Sequence, residues 1–455
     1  MHQRVALDPF HSETIDPSAV FARHLGLFAF PRGAHLTERT KPLGEWLAQR
    51  TALNTWPYSR CLEGPPATET RITSQNDRPV QGINFGSQDY LGLASHPALR
   101  DAAFRALEEF GPHAASSPML QGNTALSRRL EMALAERLGM EHVLLFPTGW
   151  AAGFGVIAGL VRPNDHILID QLAHACLMQG ARAATPNHTF FRHNCVEDVR
   201  RRLAKIRTRD TQNAILVITE GLFSMDSDSP DLPALQEVCR EHGAVLMVDV
   251  AHDFGATGPG GAGQVGLQGM LGQVDLVMGS FSKTLASNGG FVATRDLSVK
   301  QYLGVYGGPH IYSNALSPVA AGVVLEALRI VCSAEGDALR NRALDNILRL
   351  RRGFAAKGIE CLGNPSNIVP VITGDETLAK WTGRLLEEHG LLANLVEFPA
   401  VPRGRSRFRF QVMASHSGRQ VDAAVEIFSR CLAQAREIAG TAGAAPETVR
   451  LVVAL

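Results

Sequence analysis

Apolar and polar positions along this chain fall into three regimes. Between residues 142 and 293, short apolar runs recur at 142–146, 166–169, 214–219, 244–248, 274–278 and 290–293. They read as strands buried on both faces. Between most of them lie segments with apolar residues at three- and four-residue spacing, such as 196–206 and 231–241. This alternation predicts an α/β unit around a mainly parallel sheet, in which ligands gather beyond the carboxyl ends of the strands. Just upstream, 97–110 and 127–138 carry helical spacing, with a proline tolerated in the first turn of the former.

Downstream the pattern changes. Two long helices are expected at 318–333 and 337–356, then strands at 359–361, 367–373, 391–396 and 407–412, and a terminal helix at 420–439. That is the outline of a smaller α+β unit. Residues 1–80 hold many Pro, Arg and Thr and have weak periodicity, with short helices expected near 19–27 and 42–53. The chain therefore divides into an arm (1–80), a large α/β domain (81–335) and a small α+β domain (336–455).

Composition narrows the partners. The 455 residues carry 44 Lys+Arg against 44 Asp+Glu, so the basic excess expected of a nucleic-acid or membrane-surface binder is missing. No stretch of about 18 apolar residues occurs, so no membrane span is expected. Seven scattered cysteines without a CxxC pair argue against a zinc cluster or disulfide framework, and no metal is expected. The first residues lack the apolar core of a signal peptide, and a cytoplasmic setting is the expectation.

Candidate chemistry lies at the strand ends. After 274–278 comes Gly279-Ser280-Phe281-Ser282-Lys283-Thr284, a lysine flanked by hydroxyls. A lone lysine in a polar loop is ordinarily a surface residue, but this one has company. Strand 244–248 runs into Asp249-Val250-Ala251-His252, and a buried Asp is rare unless paired. By itself that pair could equally bind a metal or cap a helix. Strand 142–146 runs into Pro147-Thr148-Gly149-Trp150 and a helix start, where free N–H groups and a glycine can cradle phosphate. Strand 166–169 ends in Asp170, with His174 four residues on. A lysine for a Schiff base, an acid for a ring nitrogen, an aromatic histidine and a phosphate cup together match the needs of pyridoxal phosphate.

With these residues in view, the sequence resembles the α-oxoamine synthases, pyridoxal-phosphate enzymes of fold type I. The likeness spans about 84–416. Its further stretches are Ser87-Gln88-Asp89-Tyr90-Leu91-Gly92-Leu93, Glu220-Gly221-Leu222-Phe223-Ser224-Met225-Asp226 and Pro402-Arg403-Gly404…Arg407-Phe408-Arg409. The resemblance implies a large domain with a mainly parallel seven-stranded sheet and a smaller C-terminal domain. It implies Lys283 as the Schiff-base lysine that later moves protons, Asp249 on the pyridine nitrogen, His252 on the phenolic oxygen and His174 stacked on the ring. Thr148, Gly149, Trp150, Ser280 and Ser282 would hold the phosphate, and Ser224 is a further cofactor contact. Ser313 would come from the second chain of a homodimer with a shared site. Arg409 would take the substrate carboxylate, with Arg407 or Arg403 as alternatives, and Asp89 and Tyr90 would stand on the substrate side. The implied reaction joins a small amino acid (Gly, Ala or Ser) to an acyl thioester, carried on coenzyme A or an acyl-carrier protein, with loss of carbon dioxide.

The sequence also departs from the family pattern. Val250 replaces the usual Glu, Asp253 replaces a Gly or Ser, and Asp89 stands in place of an Asn. Ser116-Ser117-Pro118 lacks the usual arginine, Ser127 replaces a histidine, and Gly153 replaces the Asn that follows the phosphate cup. The cofactor set is intact and the substrate approach is altered. The rival readings are an aminotransferase on the same fold and a non-catalytic regulatory subunit. Lys283 argues against the second, and the lack of a GxGxxG after the first strand disfavours a dinucleotide-binding domain.

Overall fold

The computed structural model of the protein describes residues 15–442. The first 14 residues of the expected arm and the last 13 of the expected small domain lie outside them. Seven strands form the central sheet, in the order His142–Phe146, Gly290–Thr294, Leu276–Ser280, Val245–Asp249, Ile215–Glu220, His166–Asp170, His188–Phe191. All neighbours are parallel except Gly290–Thr294, which runs antiparallel to both of its partners. The carboxyl ends of the other six therefore open on one edge. Ile215–Glu220 is buried at every position, which is why its sequence is an unbroken apolar run until its last two residues.

Helices cover both faces. Pro318–Val331 packs on both Pro97–Phe110 and Ala125–Leu138, and Leu99, Leu130 and Val324 of these helices join the core on one side of the sheet. Gly149–Leu160 and Ala175–Ala184 pack together on the other, burying Val156, Ile157 and Leu177. Each large aliphatic side chain so buried contributes roughly 1.5–3 kcal/mol.

The rest of the chain is gathered around a second core that unites distant segments. Val20, Phe21, Trp46 and Leu53 are buried together with Ile347, Phe354, Phe408, Phe428 and Leu432. In 15–80 the structure has more order than the sequence suggests. The expected helix near 19–27 is only Pro17–Phe21 followed by a 3-10 turn at Leu25–Leu27, since Val20 and Phe21 are the residues that find a core. The helix Lys41–Ala52 follows the expectation. Strands Cys61–Leu62, Glu69–Thr73 and Pro79–Asn84 form an antiparallel sheet that Leu391–Leu392 extends in parallel. The expected strand at 391–396 is thus two strands, because Asn394–Val396 pairs instead with Ser406–Gln411. The expected strand at 359–361 is reduced to a single bridge between Cys361 and Val371. No helix among the described residues is long and apolar enough to cross a membrane.

Candidate active site

Five strand ends meet at one edge of the sheet. Asp249 and Glu220 are the last residues of neighbouring strands and are paired across them, so two buried carboxyl groups stand side by side. Asp249 Oδ1 accepts the Ala251 N–H at 2.9 Å, and Glu220 Oε1 accepts the His174 N–H at 2.6 Å. Burial raises both carboxyl groups above the usual range, and their mutual repulsion raises Glu220 further, while Lys283 pulls both back. Lys283 itself is half-buried. Desolvation lowers its ammonium below the usual lysine range, with Arg409 adding and Asp249 and Glu220 opposing. An amine held this way is easier to deprotonate, as a Schiff-base or proton-transfer lysine must be.

His252 is buried, and its Nδ1 lies 2.9 Å from the Tyr90 hydroxyl. Burial drives its imidazole well below the ordinary value, with Lys283 and Arg409 adding, so it is neutral. Burial likewise raises the Tyr90 phenol, which stays protonated. His174 is exposed at the helix start before Ala175–Ala184, where its Nδ1 caps the Cys176 N–H at 3.3 Å. Partial desolvation lowers its pKa, against the pull of Asp249. The Trp150 ring stands edge-on to it, centroids 6.1 Å apart.

Thr148 caps the helix Gly149–Leu160, its Oγ1 accepting the Ala151 N–H at 3.0 Å, a contact worth about 1 kcal/mol. The N–H groups of Gly149 and Trp150 precede the first intrahelical bond and remain available to an anion. A Cβ at Gly149 would lie 2.4 Å from the Ser280 side chain, and one at Gly290 would lie 2.7 Å from Gly149 Cα. Glycine is therefore required at both positions to bring the helix start against Ser280. Ser280 and Ser282 share a hydroxyl–hydroxyl bond of 2.8 Å beside it.

Among the candidate arginines, two are already engaged. Arg407 pairs with Asp226 and donates to the Met225 carbonyl at 3.0 Å, while Arg403 reaches His24 on the surface. Arg409 makes only a long 3.4 Å contact with the Ser224 carbonyl, and its buried Nε has no partner. Asp89 spends both carboxylate oxygens on backbone, accepting Leu93 N–H at 2.8 Å and Ala94 N–H at 3.0 Å. From that segment Tyr90 is the residue that meets the site. Ser313 lies in the loop before Pro318–Val331, beside the exposed Tyr312, and among the described residues no hydrogen bond joins it to the others.

Two residues outside the expected site set belong to this neighbourhood. Glu220 is one, and its signal was the same as that of Asp249: an acid ending a fully buried strand. The other is His193, which bridges Asp170 Oδ1 and Asp228 Oδ2 at 2.9 Å each, edge-on to Phe223. Burial alone would lower its pKa, but the two carboxylate bonds outweigh that and push it up to about 10. It ties down the loop that carries Ser224. Asp253, a departure from the family pattern, is buried behind the site with Oδ2 on Gln264 N–H, and burial raises it to about 7. Val250 is simply core.

This donor set suits a phosphorylated pyridine aldehyde: a glycine-lined cup for the phosphate, a carboxyl for the ring nitrogen, a neutral histidine and a lowered lysine. Comparison with known proteins agrees. Residues 80–428 match the family model for class I and II aminotransferases. The chain is 34% identical to the 8-amino-7-oxononanoate synthase of Thermoanaerobacter pseudethanolicus, over 81% of its own length and 91% of the relative's. It is 34% identical to the serine palmitoyltransferase of Sphingobacterium spiritivorum, covering 83% and 92%. This chain belongs to the α-oxoamine synthases. A lysine-to-alanine variant of serine palmitoyltransferase from S. paucimobilis, solved with a bound PLP–myriocin aldimine, superimposes on the synthase with a TM-score of 0.81 at 28% identity, covering 90% of this chain and all of the other. The synthase is a pyridoxal-phosphate-dependent acyltransferase of fold type I, as the motifs implied.

Proposed function

We propose that the enzyme joins a small amino acid (glycine, alanine or serine) to an acyl thioester, releasing carbon dioxide and the free thiol and yielding an α-amino ketone. The observation that carries this reading is Arg409: a half-buried guanidinium whose buried Nε has no partner, next to Lys283 and His252, while Arg407 and Arg403 are engaged elsewhere. Its planar fork fits a carboxylate. Pyridoxal phosphate, held by Thr148, Gly149, Trp150, Ser280, Ser282, Asp249 and His252, would supply an electron sink for negative charge at the amino acid's α-carbon. Arg409 anchors the carboxylate and so orients the α-carbon bonds, which decides whether the proton or the carboxylate leaves. Lys283, with its lowered pKa, takes the α-proton. Asp249 would face the ring nitrogen of the bound cofactor, and its carboxylate would keep that nitrogen protonated. His174, exposed at the mouth, meets the incoming thioester.

The acyl carrier follows from the same altered approach. Ser116–Pro118 has no cation to offer a free coenzyme, and Ser117 is a buried hydroxyl. A carrier-protein thioester is therefore the preferred donor. The site is completed across a cytoplasmic homodimer, with Ser313 supplied in trans.

Mass spectrometry of products from an amino-acid panel against matched acyl-coenzyme A and acyl-carrier substrates tests these points. Carbon dioxide release that requires both substrates is expected. Accumulation of a pyridoxamine form with amino acid alone would instead make the enzyme an aminotransferase, and a clear preference for free acyl-coenzyme A would reject the carrier protein.

A further inference from the structure

His174 is held at its Nδ1 edge by a single residue. The Cys176 N–H points at Nδ1 from 3.3 Å, and the Cys176 thiol lies 3.0 Å from the same nitrogen. A backbone N–H can only donate, so this long contact favours Nδ1 as an acceptor and the neutral ring's proton on Nε2, without fixing it alone. The thiol then has one role open to it there, which is to donate S–H to the shared lone pair. Burial, with Asp249 and Glu220 adding, raises the thiol far above the usual range, so the S–H is not lost.

The sulfur can sit there because of a residue on the facing helix. A Cβ at Gly153 would lie 2.7 Å from Cys176 Sγ, 3.1 Å from Met278 Cε and 3.2 Å from Leu177 Cδ2. Gly153 is the position where the family pattern has Asn, a departure that the cofactor chemistry leaves unexplained. A side chain there would occupy the space of the thiol.

We propose that Cys176, in the room left by Gly153, is a positioning residue that locks His174 in the tautomer with hydrogen on Nε2, so that a fixed N–H donor faces the acyl carbonyl. Its catalytic consequence rests on the reading of His174 given above; the tautomer itself does not. The backbone contact alone is long, at 3.3 Å, and the thiol adds a second, shorter contact to the same nitrogen at 3.0 Å.

The test uses holoenzyme labelled with nitrogen-15 histidine, with the His174 signals assigned by their loss in His174→Gln. In the wild type and in Cys176→Ser, which keeps a side-chain donor, the shifts should report one tautomer. In Cys176→Ala and Gly153→Ala they should move toward a tautomer average. With those two variants kcat/KM for the thioester should fall roughly three- to tenfold, the scale of one lost hydrogen bond, and Cys176→Ser should recover most of it. Cofactor absorbance checks that each variant is loaded. Wild-type histidine shifts in Cys176→Ala would overturn the proposal. Moved shifts with unchanged thioester kinetics would leave the tautomer lock standing and refute the role assigned to His174.

Discussion

Two clusters of buried charge are built here on opposite plans. In the second core, Glu397 accepts from Arg50 at 3.1 Å and from the Tyr58 hydroxyl at 3.1 Å, and lies 3.6 Å from Lys380. Lys380 also donates to the Phe21 carbonyl at 3.0 Å, and Arg50 lies over the Trp46 and Trp56 rings. Each charge has a fixed counter-charge from the protein. At the sheet edge, Glu220 and Asp249 are adjacent carboxyl groups with no fixed counter-charge among the described residues, Lys283 is half-buried, and Arg409 has an unpartnered Nε. The first cluster spends its electrostatics on joining residues 15–60 to the far end of the chain. The second holds its electrostatics open for a ligand.

Lys283→Ala attacks the open cluster and should cut turnover at least about a thousandfold, read as thioester-dependent carbon dioxide release, without lowering the Tm of the cofactor-free protein. Glu397→Gln attacks the closed one. It leaves two buried cations facing a neutral amide, and denaturant melts should show a loss of about 3–5 kcal/mol with kcat per folded molecule unchanged. A loss of kcat without loss of stability would break the distinction. Arg409→Lys should raise KM for the amino acid roughly ten- to a hundredfold with a smaller change in kcat, since a charge remains but the fork is lost.

A pH-dependent effect is expected at His193, on the Asp170 and Asp228 carboxylates. Its folded pKa of about 10 exceeds the ordinary 6.5, so the stability it lends is full below pH 6.5 and is lost as pH rises through about 10. Thermal melts should show His193→Gln less stable than wild type at neutral pH, with the gap closing toward pH 10. A gap that stays constant would mean that the histidine acts by shape alone.

What could be read in advance was whatever is local. The strands at 142–146 and 290–293 are continuous apolar runs, and Lys283, Asp249, His252 and Thr148 follow such runs directly. His188–Phe191 carries no strand pattern in its sequence because it is an edge strand with only Phe191 buried. Glu69–Thr73 buries only Thr70 and Ile72, too short an alternation to stand out. Arg409 and Arg407 lie two residues apart on one strand and so face the same way, and only the position of Asp226 separates an engaged guanidinium from a free one. His193 was silent for a similar reason, as its two carboxylates come from segments 23 and 35 positions away.

The parallel pairing of Leu391–Leu392 with Ile83–Asn84 has a consequence for synthesis. Just beyond it, Asn394 donates to the Gly86 carbonyl across 308 positions of sequence. A ribosome adding roughly 5–20 residues per second needs on the order of 15–60 s to cover that distance. During that interval Trp46 and Phe21 have left the ribosome and the residues that bury them have not yet been made. All seven strands of the central sheet have been made by Thr294, well before the residues that close the ends of the chain.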